Sequence, residues 1–495
     1  MAQKSYIKKD KDIDTLFLEL LNLLGLIDFQ LEAYPEAKKL RQNLNECKSQ
    51  SEVNLIKAVL KKMTPTEKQK YVIIVDKLIA IAEANSYGLC KNAAFAYLYN
   101  GVYWVEIEKP RLEKFLGDVA EKMGLPWLDA RQYSVREQLT KQFLSTGFLP
   151  APKPNDEIRI NYQNGTFISK GKERYLRDFN RIDFIRYVLP FSYDPEASAP
   201  LFEAFLLRVL PDPDSQKVLA EFIGWLFISG FKQEKALILY GSGANGKSVF
   251  FDIISALLGR ENVSNYSMSN LCEDSGYYRA MLVNKLLNYS SEIGGNKTNP
   301  DTIKQLISGE ALSCRLPYGE PFILDSGYAK LMFNANTLPK DTEQTNAFFR
   351  RFIIVPFTQT IPESEQDKYL AQKIIASELS GIFNWVLLGL DRLIENQSFT
   401  DCEAARKALD TYRKQSDTVQ MFLEDEGFKP STTCNISQKE MFKSYREYCL
   451  ENNYRAVGNK TFGERCRTIG YNFTRASNGM CIWAEKQIPE MEIGF

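Results

Sequence analysis

The feature that most constrains the fold of this chain is a glycine-rich loop between two apolar segments. Residues 241–248 fit the pattern G-x-x-x-x-G-K-[ST]. The preceding segment, ALILY at 236–240, is typical of a short buried strand, and the following one, VFFDIISALL at 249–258, is typical of a helix. A strand that enters a helix through such a loop predicts an α/β section, which we assign to residues 231–360.

This loop has the chemistry of a phosphate site. Its glycines let successive backbone N–H groups point at one place, and the first turn of the helix adds a positive dipole end. Lys247 is expected to contact the β- and γ-phosphates of ATP, and Ser248 to hold Mg²⁺. The residues predicted to bind nucleotide are Gly241, Ser242, Gly243, Ala244, Asn245, Gly246, Lys247, Ser248 and Val249. The alternative is a structural turn that leaves the lysine on the surface.

Three later apolar strands are each bordered by polar residues suited to ATP hydrolysis. LLNYSS leads to Glu292, which is suited to activate water and to join the metal site, although Ser291 stands where an acidic residue is expected. KLMFNA leads to Asn336, which is suited to orient a water. Arg350 and Arg351 precede a fourth strand, and a guanidinium that reaches a neighbouring subunit's γ-phosphate is an arginine finger. A surface glutamate and ion-paired arginines are the alternatives.

The amino-acid composition excludes several classes of enzyme. The 495 residues include no histidine, which removes His-based nucleophile systems and His-containing zinc sites. The nine cysteines form no CxxC pair, which is typical of a reduced intracellular chain. Lys plus Arg equals Asp plus Glu at 62 each, so a nucleic-acid surface has to be a local patch or a channel.

Changes of pattern along the chain predict five domains. Residues 1–92, rich in Leu, Lys and Glu at helical spacing, are expected to form a helical accessory region. Residues 93–230 combine helices with two hairpins, at Asn100–Gly101 and Asn164–Gly165, and predict an α+β domain. The α/β section is followed by a helical subdomain at 361–415 and a small domain at 416–495. The chain has no run of 18 apolar residues, so we expect no membrane span.

The last domain has the pattern of a winged helix. Helices are expected at 417–427, 438–452 and 460–469, and a hairpin is expected to turn at Asn478–Gly479. Phosphate contact with DNA is the functional interpretation, and a protein-interaction module is the alternative. The candidate DNA contacts are Lys460, Arg465 and Arg467 on the expected recognition helix and Arg475 on the wing.

In this order, the motifs resemble the superfamily-3 helicases of the AAA+ class, and especially the phage and plasmid primase-helicase family related to the poxvirus primase-helicase. The resemblance covers roughly residues 95–490. It implies a P-loop AAA+ core of α/β class, preceded by helical and mixed α+β domains and followed by a winged helix. The segments that carry it are FSYDPEASAPLFEAFL, ALILYGSGANGKSVFFDIISALLG, NYSSE, IKQLISGEALSCR, FNANTLP, NAFFRRFIIVPF and ELSGIFNWVLLGLDRL.

The same resemblance implies roles for individual residues. Glu292 would be the catalytic base and Asn336 the sensor, and the Arg350/Arg351 pair would hold the finger. The family also carries a DNA-facing hairpin between the glutamate strand and the sensor strand, which falls within 308–324 in this chain. Its tip reads PYGEP where many relatives have a lysine, and a plain β-turn is the alternative. The expected DNA contacts near this hairpin are Lys304, Arg315 and Tyr318.

The function implied by the resemblance is that of an ATP-dependent replicative DNA helicase. We expect a hexameric ring that moves along one DNA strand of a phage, plasmid or other mobile element in the cytoplasm of a host cell. Many relatives carry a polymerase-type primase domain whose motifs include a histidine. Because this chain contains no histidine, a separate primase is the expected partner. The alternative is an ATP-switched, origin-binding initiator or helicase loader, which Ser291 and the lysine-poor hairpin favour.

Overall fold

The chain forms two compact units, Met1–Tyr193 and Asp194–Phe495. The structure is a computed structural model, and it describes residues 11–92, 95–147, 157–171, 173–293, 299–317, 319, 321–325, 327–338, 345–452, 454, 456–476 and 479–486. Together the two units are of mixed α/β class, with one parallel sheet and several helical regions. Each unit is described separately below.

The first unit combines a helical part with two small antiparallel sheets. The sheets have the orders β1-β2-β3 and β4-β5-β6. Its elements are α1 (Ile13–Leu23), α2 (Phe29–Ala33), α3 (Ala37–Glu46), α4 (Gln50–Lys62), α5 (Glu67–Ala84), β1 (Leu89–Asn92), β2 (Phe95–Tyr99), β3 (Trp104–Ile107), α6 (Lys109–Lys122), α7 (Trp127–Arg131), α8 (Tyr133–Thr146), β4 (Ile158–Tyr162), β5 (Gly165–Lys170) and β6 (Glu173–Arg177).

Both hairpins predicted for this unit are confirmed. β2 pairs antiparallel with β3, and the side chain of Asn100 accepts hydrogen bonds from the backbone N–H groups of Val102 and Tyr103. Gly101 has a φ of +96°, which a residue with a Cβ rarely adopts. β4 pairs antiparallel with β5 up to the Tyr162–Gly165 pair. Asparagine followed by glycine therefore marks both turns, as the sequence pattern indicates.

One apolar core joins the helices before residue 92 to the elements after it. This core runs from Ile13 through Leu78 and Leu98 to Phe143. Phe17 of α1 stacks on Phe115 of α6, with ring centroids 4.0 Å apart. The predicted helical region at 1–92 therefore shares its interior with part of the predicted 93–230 domain, because α1 and α5 bury their apolar faces against α6 and α8.

The second unit is built around the parallel sheet. Its elements up to the end of the helical region are α9 (Pro200–Val209), α10 (Pro213–Trp225), β7 (Ala236–Tyr240), α11 (Lys247–Leu258), β8 (Val263–Ser264), α12 (Met268–Leu271), α13 (Tyr277–Ala280), β9 (Leu287–Ser290), α14 (Pro300–Ser308), β10 (Leu312–Arg315), β11 (Pro321–Leu324), β12 (Lys330–Ala335), α15 (Asn346–Phe349), β13 (Phe352–Pro356), α16 (Leu370–Ser377), α17 (Leu379–Asn396) and α18 (Glu403–Gln415).

The sheet has the strand order β13-β7-β12-β9-β8, and all neighbours are parallel. β7 lies inside it, where Ile238 pairs with Phe333 of β12 and with Ile354 of β13. Its first four residues are at most 1% exposed, which agrees with the unbroken apolar run read from the sequence. The chain passes from β12 across β7 to β13, so β7 marks a topological switch point, where ligands of open α/β sheets bind.

Helices α9 and α10 belong to the second unit rather than to the mixed domain expected before residue 230. α10 packs against α17 at short range because small residues face each other: a Cβ on Gly389 would lie 2.4 Å from the backbone of Ala220. The Glu378 carboxylate accepts hydrogen bonds from the backbone N–H groups of Leu201 and Phe202 at the start of α9. Contacts with residues more than 150 positions away thus decide where these helices lie.

The carboxyl-terminal part of this unit has its own apolar core, which includes Val419, Tyr445, Phe462 and Ile482. Its three helices overlap the three predicted ones. The predicted hairpin is formed by β16 (Phe473–Ala476) and β17 (Gly479–Ile482), which pair antiparallel. Asn478, at its predicted turn, lies outside the described residues. Two small sheets, β15-β17-β16 and β14-β18, complete the carboxyl-terminal part. The elements are α19 (Thr418–Asp425), β14 (Phe428–Pro430), β15 (Ile436–Ser437), α20 (Gln438–Glu451), α21 (Asn459–Ile469), β16 (Phe473–Ala476), β17 (Gly479–Ile482) and β18 (Ala484–Lys486).

Among the described residues, no individual helix has the length and apolar composition needed to cross a membrane. One pair, Glu363–Ser377 with Leu379–Asn396, passes that test only when the two helices are joined, and the pair is bent by 79°. Most of the second helix's apolar residues, including Phe383 and Leu390, are buried in the second unit.

Candidate nucleotide-binding site

The glycine-rich loop lies at the carboxyl end of β7 and leads directly into α11. Gly243 and Gly246 have φ values of +109° and +85°, and Ala244 also has a positive φ of 49°. A Cβ on Gly241 would lie 2.2 Å from the Asn245 side chain, and one on Gly246 would lie 2.6 Å from Val209. Close packing therefore favours glycine at 241 and 246, and the positive φ favours glycine at 246 as well.

Lys247 is turned back onto the loop that precedes it. Its Nζ donates hydrogen bonds to the Gly241 carbonyl at 2.7 Å and to Asn245 Oδ1 at 2.9 Å, and the residue is only 5% exposed. Burial lowers the pKa of its ammonium group. A phosphate oxygen accepts a stronger, charge-assisted hydrogen bond than either neutral acceptor, so the observed contacts are ones that an anionic ligand can replace.

The segment that follows β13 forms hydrogen bonds with the glycine-rich loop. Asn245 Nδ2 donates to the Phe357 carbonyl at 3.0 Å, and the Ile361 N–H donates to the Ala244 carbonyl at 2.8 Å. Within the loop and the start of α11, Ser242 and Ser248 are exposed and Val249 is half-buried. The Ser248 hydroxyl therefore lies where a ligand or its metal can reach it.

Glu292 and Asn336 follow strands next to the loop. β9 ends at Ser290, whose Oγ donates to the Glu292 carbonyl at 2.8 Å, and Glu292 itself is exposed. Asn336 directly follows β12 and is exposed, and the N–H of Gly241 donates to the carbonyl of Ala335 at 3.0 Å. Since β7, β12 and β9 are parallel neighbours, the fold brings the loop, Asn336 and Glu292 to one edge of the sheet.

Arg350 and Arg351 lie at the opposite edge, because they precede β13 instead of following it. The Arg351 carbonyl accepts the N–H of Ala236 at the start of β7. Arg350 pairs with Glu234 at 3.2 Å and borders an open pocket of about 390 Å³, which is lined by Lys232, Gln233, Glu234, Lys235 and Arg350. Within one chain, the arginine pair is therefore separated from the loop by the length of the sheet.

The hairpin predicted within 308–324 is present as an antiparallel pair of β10 and β11, with Leu312 opposite Leu324 and Arg315 opposite Pro321, and its contact with DNA stays a prediction. Arg315 lies over the Tyr277 ring, 5.2 Å from its centroid. Lys304 lies on α14, with its Nζ 2.8 Å from Asp301. Tyr318 lies outside the described residues.

The four candidate DNA contacts of the carboxyl-terminal part have different surroundings. Lys460 and Arg475 are exposed. Arg467 lies over the Phe473 ring at 4.0 Å, and Arg465 is largely buried and pairs with Asp417 at 3.0 Å. The structure thus gives Arg465 an ion-pair partner inside the unit, a contact that helical spacing does not reveal.

Sequence reasoning missed two residues that contact the arginine pair, Glu234 and Ser308. Glu234 contacts both guanidinium groups, and Ser308 accepts two hydrogen bonds from Arg351. Glu234 belongs to no recognisable motif, and Ser308 lies within the IKQLISGEALSCR segment, where nothing marks it as a partner of Arg351. Glu234 lies two residues before β7 in sequence, but only the parallel pairing of β7 with β13 brings it to the arginines.

Two family models match parts of the chain. One, described as D5 N terminal like, matches residues 79–211. The other, a family of unknown function called DUF5906, matches residues 239–351 and so includes the glycine-rich loop, Glu292, Asn336 and both arginines.

Among curated proteins, the chain is similar to one from Acanthamoeba polyphaga mimivirus named "Putative helicase L207/L206". The two are 20% identical over 326 residues, which are 59% of this chain and 33% of the viral protein. The chain thus spans about a third of the length of that relative.

Among solved structures, the chain is similar to the apo A form of the NrS-1 C-terminal region. That match has 13% identity and a TM-score of 0.45 and covers 82% of this chain and 98% of the other. A second structure, of residues 305–718 of the same region, has 12% identity and a TM-score of 0.44 and covers 84% of this chain and 99% of the other.

Proposed function

We propose that this protein is an ATP-dependent DNA helicase of a phage, plasmid or other mobile element, and that it works as a hexameric ring in replication. The observation that carries the proposal is the division of the motifs between the two edges of one parallel sheet. The loop, Asn336 and Glu292 lie at one edge, and Arg350 and Arg351 lie at the other. An arginine pair so placed can complete only the site of another copy, and a head-to-tail contact of this kind forms a ring where the rotation between copies closes.

In this proposal the core is of the P-loop AAA+ type and the carboxyl-terminal part is a winged helix. Lys247 would exchange its contacts with Gly241 and Asn245 for the β- and γ-phosphates of ATP, and Ser248 and Glu292 would hold Mg²⁺. Mg²⁺ would neutralise charge that develops on the phosphates. Glu292 would activate water, which Asn336 would orient.

DNA contacts are assigned to two regions of the second unit. The β10–β11 hairpin, with Arg315 and nearby Lys304, would touch a single strand in the ring channel, to which Tyr318 would add an aromatic contact. The exposed side chains of Lys460 and Arg475, with Arg467, would contact phosphates at the carboxyl-terminal part. The name of the mimivirus relative supports a helicase, and a separate primase remains the partner that we propose.

Strand separation tests this proposal. Forked DNA with a 3′ or a 5′ tail would be incubated with ATP, Mg²⁺ and the full chain. We expect unwinding from one tail only, and a loss of about a hundredfold in Lys247→Ala, as for removal of a preorganised charge donor. Lys407→Ala is the matched control, because the side chain of Lys407 is exposed and forms a surface ion pair with Glu403 on α18.

A second candidate is an origin-binding initiator or loader in which ATP controls assembly. Ser291, in place of an acidic residue, and the lysine-poor hairpin favour it. It predicts selective binding to a duplex site and little turnover with DNA. ATP hydrolysis that DNA does not stimulate, together with the absence of unwinding from either tail, would contradict the helicase and support this candidate.

A further inference from the structure

We propose that the two adjacent arginines have different functions: Arg350 is the residue that reaches the neighbouring copy, and Arg351 is a positioning residue that couples Arg350 to the β10–β11 hairpin. This inference rests on the proposed function. Its starting point is the difference in exposure, since the side chain of Arg350 is 56% exposed and that of Arg351 is 11% exposed. An arginine that acts on another subunit has to be accessible, which only Arg350 is.

Arg351 is held by a fork of hydrogen bonds. Its Nε and Nη2 donate to Ser308 Oγ at 3.1 and 3.0 Å, and its Nη1 donates to the Ala347 carbonyl. Ser308 is only 3% exposed. A charge-assisted bond in a buried setting is stronger than one between neutral groups, so this contact fixes the position of the Arg351 side chain relative to Ser308.

Ser308 stands at the junction between α14 and the hairpin. It is the last residue of α14, and Gly309 ends the helix with a φ of +68°. β10 begins at Leu312, and Arg315 ends that strand. Arg351 is therefore bonded to the point where the hairpin leaves the body of the unit.

The arginine pair also shares one counter-charge. The Glu234 carboxylate lies 3.2 Å from Arg350 and 3.8 Å from Arg351. When Arg350 leaves Glu234 for a neighbour's phosphate, that carboxylate retains Arg351 as its arginine partner. Since the two arginines are consecutive, a backbone shift at Arg350 that accompanies its contact with a neighbour would also move Arg351. Arg350, Arg351 and Ser308 thus form a continuous series of contacts that ends at the start of the hairpin. Through these contacts, nucleotide binding at a subunit boundary would affect the position of the hairpin.

The first test measures this connection without relying on activity. Hydrogen exchange of residues 309–324 would be compared in the full wild-type chain, Ser308→Ala and Ser255→Ala. Ser255 is the matched control because its buried hydroxyl has no hydrogen-bond partner within the described structure. We expect about tenfold faster exchange of the hairpin in Ser308→Ala, as loss of a bond to a charged group produces, and no change in Ser255→Ala. Unchanged exchange in Ser308→Ala would overturn the inference.

The second test uses the ratio of DNA-stimulated to basal ATP hydrolysis. Ser308→Ala is expected to keep basal hydrolysis and to lose about tenfold of the stimulation. Arg351→Lys is expected to lose the stimulation to the same extent, because lysine keeps the charge but not the fork. Ser308→Thr, which keeps the hydroxyl, is expected to keep the stimulation. In the double variant Ser308→Ala/Arg351→Lys we expect no further loss, since both changes break one contact.

The outcomes separate this inference from the proposed function. Wild-type protein without ATP hydrolysis would overturn the proposed function and, with it, the coupling role. An active wild type whose stimulation is unchanged in Ser308→Ala, or additive losses in the double variant, would overturn the inference alone. Basal hydrolysis that is lost in Arg351→Lys and kept in Arg350→Ala would reverse the assignment of the two arginines.

Discussion

At the scale of single residues, burial decides which side chains are chemically available. Lys247 is buried and hydrogen-bonded to its own loop, whereas Ser248 beside it is exposed. Arg350 and Arg351 differ in the same way. Adjacent residues that form one motif in the sequence therefore have separate chemical environments, and each has to be judged by its contacts.

The nine cysteines give a residue-scale prediction. All are free thiols, and burial raises the pKa of Cys90 and of Cys466 to about 12, while Cys434 is exposed. Because thiolate is the reactive form, a pKa higher by about three units leaves about a thousandfold less of it at neutral pH. We expect a thiol reagent to modify Cys434 first and Cys90 and Cys466 only after unfolding, as peptide mass spectrometry over time can show.

The control for this experiment is Cys434→Ser, which should remove the fastest phase and leave the slow ones unchanged. Reaction of Cys90 or Cys466 as fast as Cys434 in the folded protein would contradict the burial on which the prediction depends.

At the scale of elements, glycine residues allow the helices α10 and α17 of the second unit to pack closely against each other. α10 lies against α17 where Gly389 faces Ala220 and Gly224 faces Leu390. A Cβ at either glycine would come within 3.0 Å of the facing helix. Side chains larger than hydrogen at these positions would force the helices apart and disturb the buried residues between them.

Gly389→Ala is therefore expected to destabilise the second unit by about 3 kcal/mol, as an overpacked core position does. Chemical denaturation followed by circular dichroism measures the change. Gly25→Ala is the matched control, because a Cβ there meets nothing within 4 Å. An equal free energy of unfolding in Gly389→Ala and wild type would show that the α10–α17 contact relaxes without cost.

At the scale of the whole molecule, the proposed function requires a second copy to complete the site at one edge of the sheet. The proposed ring places the Arg350 of one subunit beside the Lys247 of the next. Lys247→Ala and Arg350→Ala should then each be inactive alone, for different reasons. Each variant retains the half of the boundary that the other lacks.

Mixing the two variants tests this arrangement directly. In an equimolar mixture, about a quarter of the boundaries in a randomly assembled ring would combine an intact Lys247 with an intact Arg350. We expect ATP hydrolysis to return to about that fraction of wild type. A mixture no more active than either variant alone would contradict the shared site, and mixing two batches of one variant is the control.

Much of the second unit could be predicted from local patterns. The apolar run at 236–240, the glycine-rich loop and the following helix correspond to β7, the loop and α11 because each depends on residues close together in the chain. The hairpins at Gly101 and Gly165 were predictable for the same reason. The predicted boundaries at 92 and 230 do not coincide with the division at 193 and 194, since packing between distant residues decides which helices share a core.

What the sequence by itself determined is therefore the local chemistry: a turn that only glycine fits, strands that only an apolar interior stabilises, and polar residues at strand ends. Only the tertiary structure decided which of these residues meet. Parallel pairing brings Gly241, Glu292 and Asn336 to one edge and puts Arg350 at the other, and Ser308 becomes the partner of Arg351 across 43 positions of chain. The physical reason is that strand order and helix packing depend on surfaces formed by many distant residues together, which no single segment contains.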